Sequence, residues 1–254
     1  MGVVNVTPDS FSDGGNFADV EAAVFHGVRL IDEGAAILDV GGESTRPTAE
    51  PVAADIEKAR VLPVVAALAA GVAAPISIAT YKASVAAAAI EAGASIVNAV
   101  WGLQRDADMA RVVAANGAVA VLMHNRAAVD PTIDIVADML AFLSRSIDIA
   151  LAAGVAEDKL WVDPGFGFGK TPEQSMIALA RLDELHEFGL PLLVGASRKR
   201  FIAAVSPSEP RQRLGGSIAA HLIAAQHGAR IIRTHDVAQT VQALRVARAI
   251  EDNR

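Results

Sequence analysis

The sequence predicts a single (β/α)8 barrel, and three observations carry the prediction. One signal recurs along the chain: a stretch with helical periodicity ends in glycine, and a short apolar run follows it. Those runs do not alternate with polar residues, as expected of parallel strands buried on both faces. Neither a linker nor a shift in composition divides the 254 residues, a length that one barrel routinely fills. An open doubly wound sheet is the runner-up, but it rarely needs eight strands.

The elements follow in order. Gly2-Val3-Val4-Asn5-Val6 supplies strand 1. The Gly-then-strand signal appears at Gly34 before Ile37-Leu38-Asp39-Val40, Gly93 before Ile96-Val97-Asn98, Gly117 before Val119–Leu122, and Gly228 before Ile231-Ile232-Arg233. Looser copies sit at Gly71 before Ile76-Ser77-Ile78, Gly154 before Leu160-Trp161-Val162, and Gly189 before Leu192-Leu193-Val194. Each glycine reads as the left-handed residue that ends a helix. The helices between include Val20–Glu33, Val52–Ala70, Ile133–Ala153 and Val237–Ile250. One domain over residues 1–254 follows, with any lid under the barrel short or missing, since strand 1 begins almost at residue 1.

Composition narrows the function classes. Apolar residues are 52% and charged residues 20%, enough for a large core and too little charge for disorder. A net charge of -7 without a basic run argues against nucleic acid. With no cysteine, disulfides and thiolate metal sites are excluded. No apolar window is long enough to span a membrane, and no leader is visible at the N-terminus, so a cytoplasmic protein is expected.

Barrels keep their active sites at the carboxyl ends of the strands. In this chain those ends gather polar residues: Asn5, Thr45-Arg46, Thr80, Asn98, His124, Asp163, Ser197-Arg198-Lys199 and Arg233-Thr234-His235. Gly169-Lys170-Thr171 suggests a nucleotide P-loop, but the first glycine of that motif would fall at Pro164. The residue of interest there is therefore Asp163, followed by the glycine–aromatic run Gly165–Gly169. Arg46, Arg233, Thr45 and His235 suit a phosphate or pyrophosphate, whose oxygens a planar guanidinium meets in pairs. Asn5 offers a neutral oxygen to a Mg²⁺ that takes its other ligands from pyrophosphate and water. Asp163 and Asn98, with Phe168 and Met123, suit a flat heterocycle bearing amino and amide groups. Lys199 and Arg198 lie between the two halves. Taken singly, Arg46 and Arg233 would read as surface ion pairs, Asp163 as a turn residue and Phe166 as core. His124 ends a strand and fits a structural or a functional role equally.

Over nearly its whole length the chain resembles the dihydropteroate synthases. The motifs are Asn5-Val6-Thr7-Pro8-Asp9-Ser10-Phe11-Ser12-Asp13-Gly14-Gly15, Glu43-Ser44-Thr45-Arg46-Pro47, Asp163–Lys170, Ser197-Arg198-Lys199 and Arg233-Thr234-His235. The resemblance implies condensation of 6-hydroxymethyl-7,8-dihydropterin pyrophosphate with p-aminobenzoate, assisted by Mg²⁺. It implies that Asn5 binds Mg²⁺, and that Thr45, Arg46, Arg233 and His235 hold the pyrophosphate. Asn98, Asp163 and Lys199 would hold the pterin, with Phe168 and Met123 lining its slot. Phe11, Pro47, Ser197 and Arg198 would frame p-aminobenzoate. Asp13, Lys199 and Asp163 would be the catalytic residues, Asp13 stabilising a pterin methylene cation. A homodimer and sensitivity to sulfonamides, as p-aminobenzoate mimics, are family expectations too.

The chain departs from the family at the pocket. Strand 3 ends Ser77-Ile78-Ala79-Thr80 where the family has Ser-Ile-Asp-Thr, and strand 4 ends Asn98-Ala99 where it has Asn-Asp. His124-Asn125-Arg126-Ala127 replaces the usual His-Met-Arg/Gln-Gly. Both lost carboxylates are expected to face the pterin or the adjoining loop, Ala79 being the costlier change. These departures keep two alternatives in view: a non-catalytic or altered-specificity pterin-binding homologue, and a relative of the methyl-folate:corrinoid methyltransferases.

Overall fold

The computed structural model describes residues 1–7, 16–44 and 50–253. Its strands are β1 (Gly2–Asn5), β2 (Leu38–Gly41), β3 (Ile76–Thr80), β4 (Ile96–Ala99), β5 (Val119–Met123), β6 (Leu160–Asp163), β7 (Leu193–Val194) and β8 (Ile231–Ile232). The helices between them are α1 (Asn16–Asp32), α2 (Ala54–Gly71), α3 (Ala83–Glu91), α4 (Met109–Asn116), α5 (Ile135–Ala152), α6 (Pro172–Ala180), α7 (Arg200–Val205), α8 (Leu214–Gln226) and α9 (Val237–Glu251). Strands β1 to β6 form one parallel sheet in sequence order, and β7 pairs with β8, also in parallel. Single parallel bridges join the two sheets at both edges, Val162 to Leu192 and Gly2 to Thr234. At those seams Val162 N–H donates to Pro191 O (3.0 Å), Val3 N–H to Thr234 O (3.2 Å) and Thr234 N–H to Met1 O (3.0 Å). The ring of eight strands is thereby continuous.

The glycines predicted to stop helices behave as expected, with one exception. Gly34, Gly93, Gly117, Gly154, Gly189 and Gly228 all have positive φ, from 61° to 112°. Gly71 instead remains the last residue of α2, and the helix is capped by extended Val72, whose N–H reaches Leu68 O (2.9 Å). No left-handed turn is needed there because the chain leaves α2 in extended conformation.

Two apolar clusters reveal which way each strand residue points. The large one contains Leu38 and Val40, Ile76 and Ile78, Val97 and Ala99, Ala120 and Leu122, Leu160 and Val162, with the buried faces of the helices. The small one centres on Ile96, Val121 and Leu193, packed by Ile37, Val119, Trp161 and Ile231. Side chains alternate along a strand, so the first set fills the layer between strands and helices and the second plugs the barrel. Continuing the inward parity by two residues gives Asp39, Ser77, Asn98, Met123, Asp163, Gly195 and Arg233. Asn5, Gly41 and Ala79 share that parity, each two residues beyond Val3, Asp39 and Ser77, with Ala79 in register with Asn98.

This parity separates the two departures from the family pattern. Ala79 points inward and is paired in register with Asn98, so its departure does fall in the pocket. Ala99 points outward, is buried, and belongs to the helix-facing core. Ala99 also lines a small hollow with Tyr81, Trp101, Leu103 and Arg105, residues of the adjoining loops.

A half-buried cation braces the ends of β2 and β3. Lys82 Nζ bridges Glu43 and Glu57, and Tyr81 OH donates to Glu43 Oε1 at 2.9 Å. Burial alone would lower the Lys82 pKa, but hydrogen bonds and charge from the two carboxylates outweigh it and raise it. Glu57 is 1% exposed, and its second oxygen, Oε1, has no partner among the described residues. Replacing Lys82 by Met would strand both carboxylates. We expect Lys82→Met to lower unfolding free energy by about 3–5 kcal/mol in urea titrations, the usual cost of breaking a buried pair from one side.

Candidate functional site

The pocket is built from the inward layer around the end of β6. Asp163 is 4% exposed, and its Oδ1 accepts the Gly165 N–H at 2.7 Å. Burial raises its pKa to about 6 against the opposing pull of that hydrogen bond and of Lys199, Arg233 and Lys170. Lys199, at the N-cap of α7, is the facing amine. Burial, with Arg233 adding to it, lowers Lys199 to about 8, while Asp163 pulls it back up. Its Nζ sits 4.2 Å from the centroid of the Phe168 ring. Carboxylate, amine and ring thus lie near one another at the same end of the barrel, a set that suits a flat ligand with both donors and acceptors on its edge.

The glycine–aromatic loop is tied down by a residue that sequence reading passed over. Lys170 is 6% exposed and folds back under its own loop. Its Nζ donates to Gly165 O (3.0 Å) and to His124 Nδ1 (2.5 Å). Burial lowers Lys170 to about 7, partly offset by Asp163 and Asp138. His124 is fully buried; burial first, and then the Lys170 charge, lower it to about 3. A neutral ring that accepts at Nδ1 carries its proton on Nε2, which sits 2.9 Å from Asp138 Oδ2. His124 therefore serves the frame of the site. The loop closes onto α6 through a capping box, Thr171 with Gln174.

Under the pocket lies a second unforeseen residue. Asp39 is fully buried on β2, and its Oδ1 accepts from Ser77 Oγ at 2.6 Å. Its Oδ2 accepts from Arg233 Nε at 2.6 Å and from Asn98 Nδ2 at 3.2 Å. The sequence held a signal for it: a lone carboxylate within the apolar run Ile37–Val40.

The remaining predicted residues divide. His235 Nδ1 lies 3.0 Å from Ser197 Oγ, which also accepts the His235 backbone N–H at 3.2 Å. Burial, then Arg233 and Arg198, lower His235 to about 3, so it is a neutral ring at pH 7. Arg198 has a left-handed backbone (φ 58°) and a bidentate pair with Asp236 at 3.0 and 2.5 Å. That conformation is fixed from α8, where Ser217 Oγ accepts the Arg198 N–H (2.9 Å) and Arg213 donates to its carbonyl (2.9 Å). Met123 is buried at the end of β5. Asn5 Oδ1 looks across the barrel mouth, 3.8 Å from where a Cβ on Gly41 would stand. Phe11, Asp13, Thr45, Arg46 and Pro47 lie outside the described residues. Among the described residues no three His, Cys, Asp or Glu side chains gather as a metal cage.

A barrel whose inner face carries a carboxylate, an amine and an aromatic ring at one end is the framework of a pterin-binding enzyme. The chain belongs to that family: the pterin binding enzyme family matches residues 1–235. Within it, the relatives are dihydropteroate synthases. The Bacillus subtilis dihydropteroate synthase is 46% identical, over 94% of this chain and 84% of that one. The Xanthomonas albilineans enzyme solved with 4-aminobenzoic acid superposes with a TM-score of 0.95 at 48% identity, covering 99% of this chain and 92% of that one. Its complex with 7,8-dihydropteroate gives a TM-score of 0.92 at 47% identity, with the same coverage.

Gly165 tests the loop geometry. Its φ is +64°, and a Cβ there would stand 1.9 Å from His124 O, a backbone atom that cannot swing aside. At Gly117, φ is +61° but the space is open. We expect Gly117→Ala to cost about 1 kcal/mol of left-handed strain. Gly165→Ala should cost about 2–4 kcal/mol through strain and clash together, read by denaturant midpoints.

Proposed function

We propose that this chain joins 6-hydroxymethyl-7,8-dihydropterin pyrophosphate to p-aminobenzoate, giving 7,8-dihydropteroate and pyrophosphate. The observation that carries the reading is the buried Asp163 facing Lys199, with Phe168 stacked beside the amine. Asp163 accepts N–H groups from the amino-pyrimidine edge of the pterin, and Lys199 donates to its carbonyl and ring nitrogen. Asn98 presents its unpartnered Oδ1 to the same ring, and Met123 and Phe168 bound the slot. Arg233 and His235, with Thr45 and Arg46, hold the pyrophosphate. The neutral His235 contributes a hydrogen bond, and the arginines contribute the charge.

The reaction breaks the carbon–oxygen bond between the pterin methylene and the pyrophosphate, which leaves with the electron pair. The amine of p-aminobenzoate forms the new carbon–nitrogen bond and then loses a proton. Asp13 and the dry, buried wall favour the cationic methylene in between. Ser197, Arg198, Phe11 and Pro47 frame p-aminobenzoate. With Arg198 already paired to Asp236, it acts on p-aminobenzoate mainly by shape and residual charge. Mg²⁺ fits Asn5, a lone neutral oxygen without a surrounding carboxylate cage, if pyrophosphate and water complete its shell. When bound, it neutralises charge on the departing pyrophosphate. The proposal includes a cytoplasmic homodimer inhibited by sulfonamides. Exposed Ile223 on α8 and Val246 and Ile250 on α9 offer apolar surface for self-association. Among the described residues no helix is long and apolar enough to cross a membrane.

Ala79 favours a second reading of the same site, an enzyme with weakened or altered pterin recognition. Its methyl group stands inward beside Asn98, where the family pattern has a carboxylate.

Turnover with both substrates and Mg²⁺ is the direct test. Dihydropteroate should form only when both are present, and absence of product would sink the synthase reading. Restoring the family residue with Ala79→Asp should tighten pterin pyrophosphate binding about tenfold or more, one charged hydrogen bond regained. An unchanged KM would show that the pocket has diverged. The phosphate-free ligand 6-hydroxymethyl-7,8-dihydropterin isolates Asp163. The free carboxyl titrates near pH 6 and the ligand binds its ionised form, so affinity is full above pH 7 and falls through pH 6. Calorimetry should show Kd rising about tenfold from pH 7 to pH 5. Asp163→Asn should bind more weakly at pH 7 and with a flat profile; a mutant as strong as the wild type would remove Asp163 from the pterin slot.

A further inference from the structure

Asp39 meets no ligand in the site proposed above, yet it touches two residues that do. Its carboxylate is fully buried and receives three donors: Ser77 Oγ on Oδ1, and Arg233 Nε and Asn98 Nδ2 on Oδ2. Each of the last two contacts uses up the part of its partner that faces down the barrel. Arg233 is gripped through Nε, and among the described residues neither of its terminal amino groups makes a hydrogen bond. Those groups are the ones that fork onto phosphate oxygens. Asn98 donates its amide N–H downward, so its Oδ1 is turned away from Asp39, buried and, among the described residues, without a partner. A buried acceptor left unmatched is costly unless a ligand supplies the donor.

We propose that Asp39 is a positioning residue that sets both halves of the pocket at once, aiming the Arg233 fork at the pyrophosphate and fixing Asn98 with its carbonyl toward the pterin. The inference rests on the pterin pyrophosphate reading of the site. Asp39 acts from one layer below through two side chains of opposite hydrogen-bonding character. Its single oxygen Oδ2 serves both, so a shift of the carboxylate displaces the two ligand contacts together. Ser77 holds the other oxygen and keeps the carboxylate from rotating. Nothing in this arrangement reaches Ser197 or Arg198, so the p-aminobenzoate side is independent of it.

The test compares the full chain with Asp39→Ala, Asp39→Asn and Ser77→Ala. Calorimetry with Mg²⁺ and inorganic pyrophosphate reads Arg233, and the KM for each substrate separates the two halves of the pocket. Asp39→Ala should raise the pyrophosphate Kd and the pterin pyrophosphate KM by about tenfold or more, as loss of an orienting partner does at metal sites. The p-aminobenzoate KM should stay the same. Asp39→Asn can keep a carbonyl oxygen at the Oδ2 position and turn its amide N–H to Ser77 Oγ, which then accepts, so it should stay within about threefold of the wild type. Ser77→Ala removes only the brace and should weaken pyrophosphate binding about threefold; it remains decisive if Asp39→Ala does not fold. Wild-type affinity in Asp39→Ala or in Ser77→Ala overturns the proposal. So does an Asp39→Asn as weak as Asp39→Ala, which would make the role one of charge alone, and so does a parallel rise in both KM values. A wild-type chain that binds no pyrophosphate overturns the reading of the site and Asp39's role with it.

Discussion

A barrel of eight short strands leaves no room for water around a charge in its interior, and the site is organised by that constraint. Asp163, Lys199, Lys170, Asp39 and Arg233 all lie in or just beneath the pocket wall, where an isolated charge would be far too costly. Each survives by facing another. Asp163 titrates near 6 and Lys199 near 8, each moved by burial and partly restored by its neighbours. The result is a pocket whose charges nearly cancel among themselves. A ligand that brings donors for Asp163 and acceptors for Lys199 replaces the missing water. The same shortage of solvent protects a reactive carbon while the pyrophosphate departs.

Side-chain parity decides what each departure from the family pattern means. Position 79 is inward and position 99 outward, two residues that look alike in a sequence of apolar runs. Only the first removes a polar group from the ligand's surroundings. In the proposed site, Asp163 would be the main carboxylate left for the pterin, and the chain would depend on it more heavily than a relative with two. Ala99 belongs instead to the packing of β4 against the helices.

Much of this is legible in the sequence. Strand order, barrel class and the convergence of Asn98, Asp163, Lys199, Arg233 and His235 follow from where short apolar runs end, because a parallel barrel sends all its strand ends to one mouth. Gly71 was misread because a glycine after a helix does not by itself show whether the chain turns or runs straight on. Lys170 and Asp39 were missed for a different reason. Lys170 looks like a P-loop remnant and Asp39 like a stray polar residue in a strand. Their roles depend on atoms more than thirty residues away in sequence, such as His124, Asn98 and Arg233. Local pattern carries no trace of such partners. Phe166 was read as core and is core, 1% exposed.

The two seams divide the barrel mechanically. Six strands share ladders of three or four residue pairs, whereas β7 and β8 share two and are joined to the rest by single bridges. Asn98 and Asp163 stand on the arc with the longer ladders. Ser197, Arg198, Lys199, Arg233 and His235 follow the two short strands. One mouth is thus framed by two unequal arcs, one tied by long ladders and the other by short ones, and the residues of the candidate site are drawn from both.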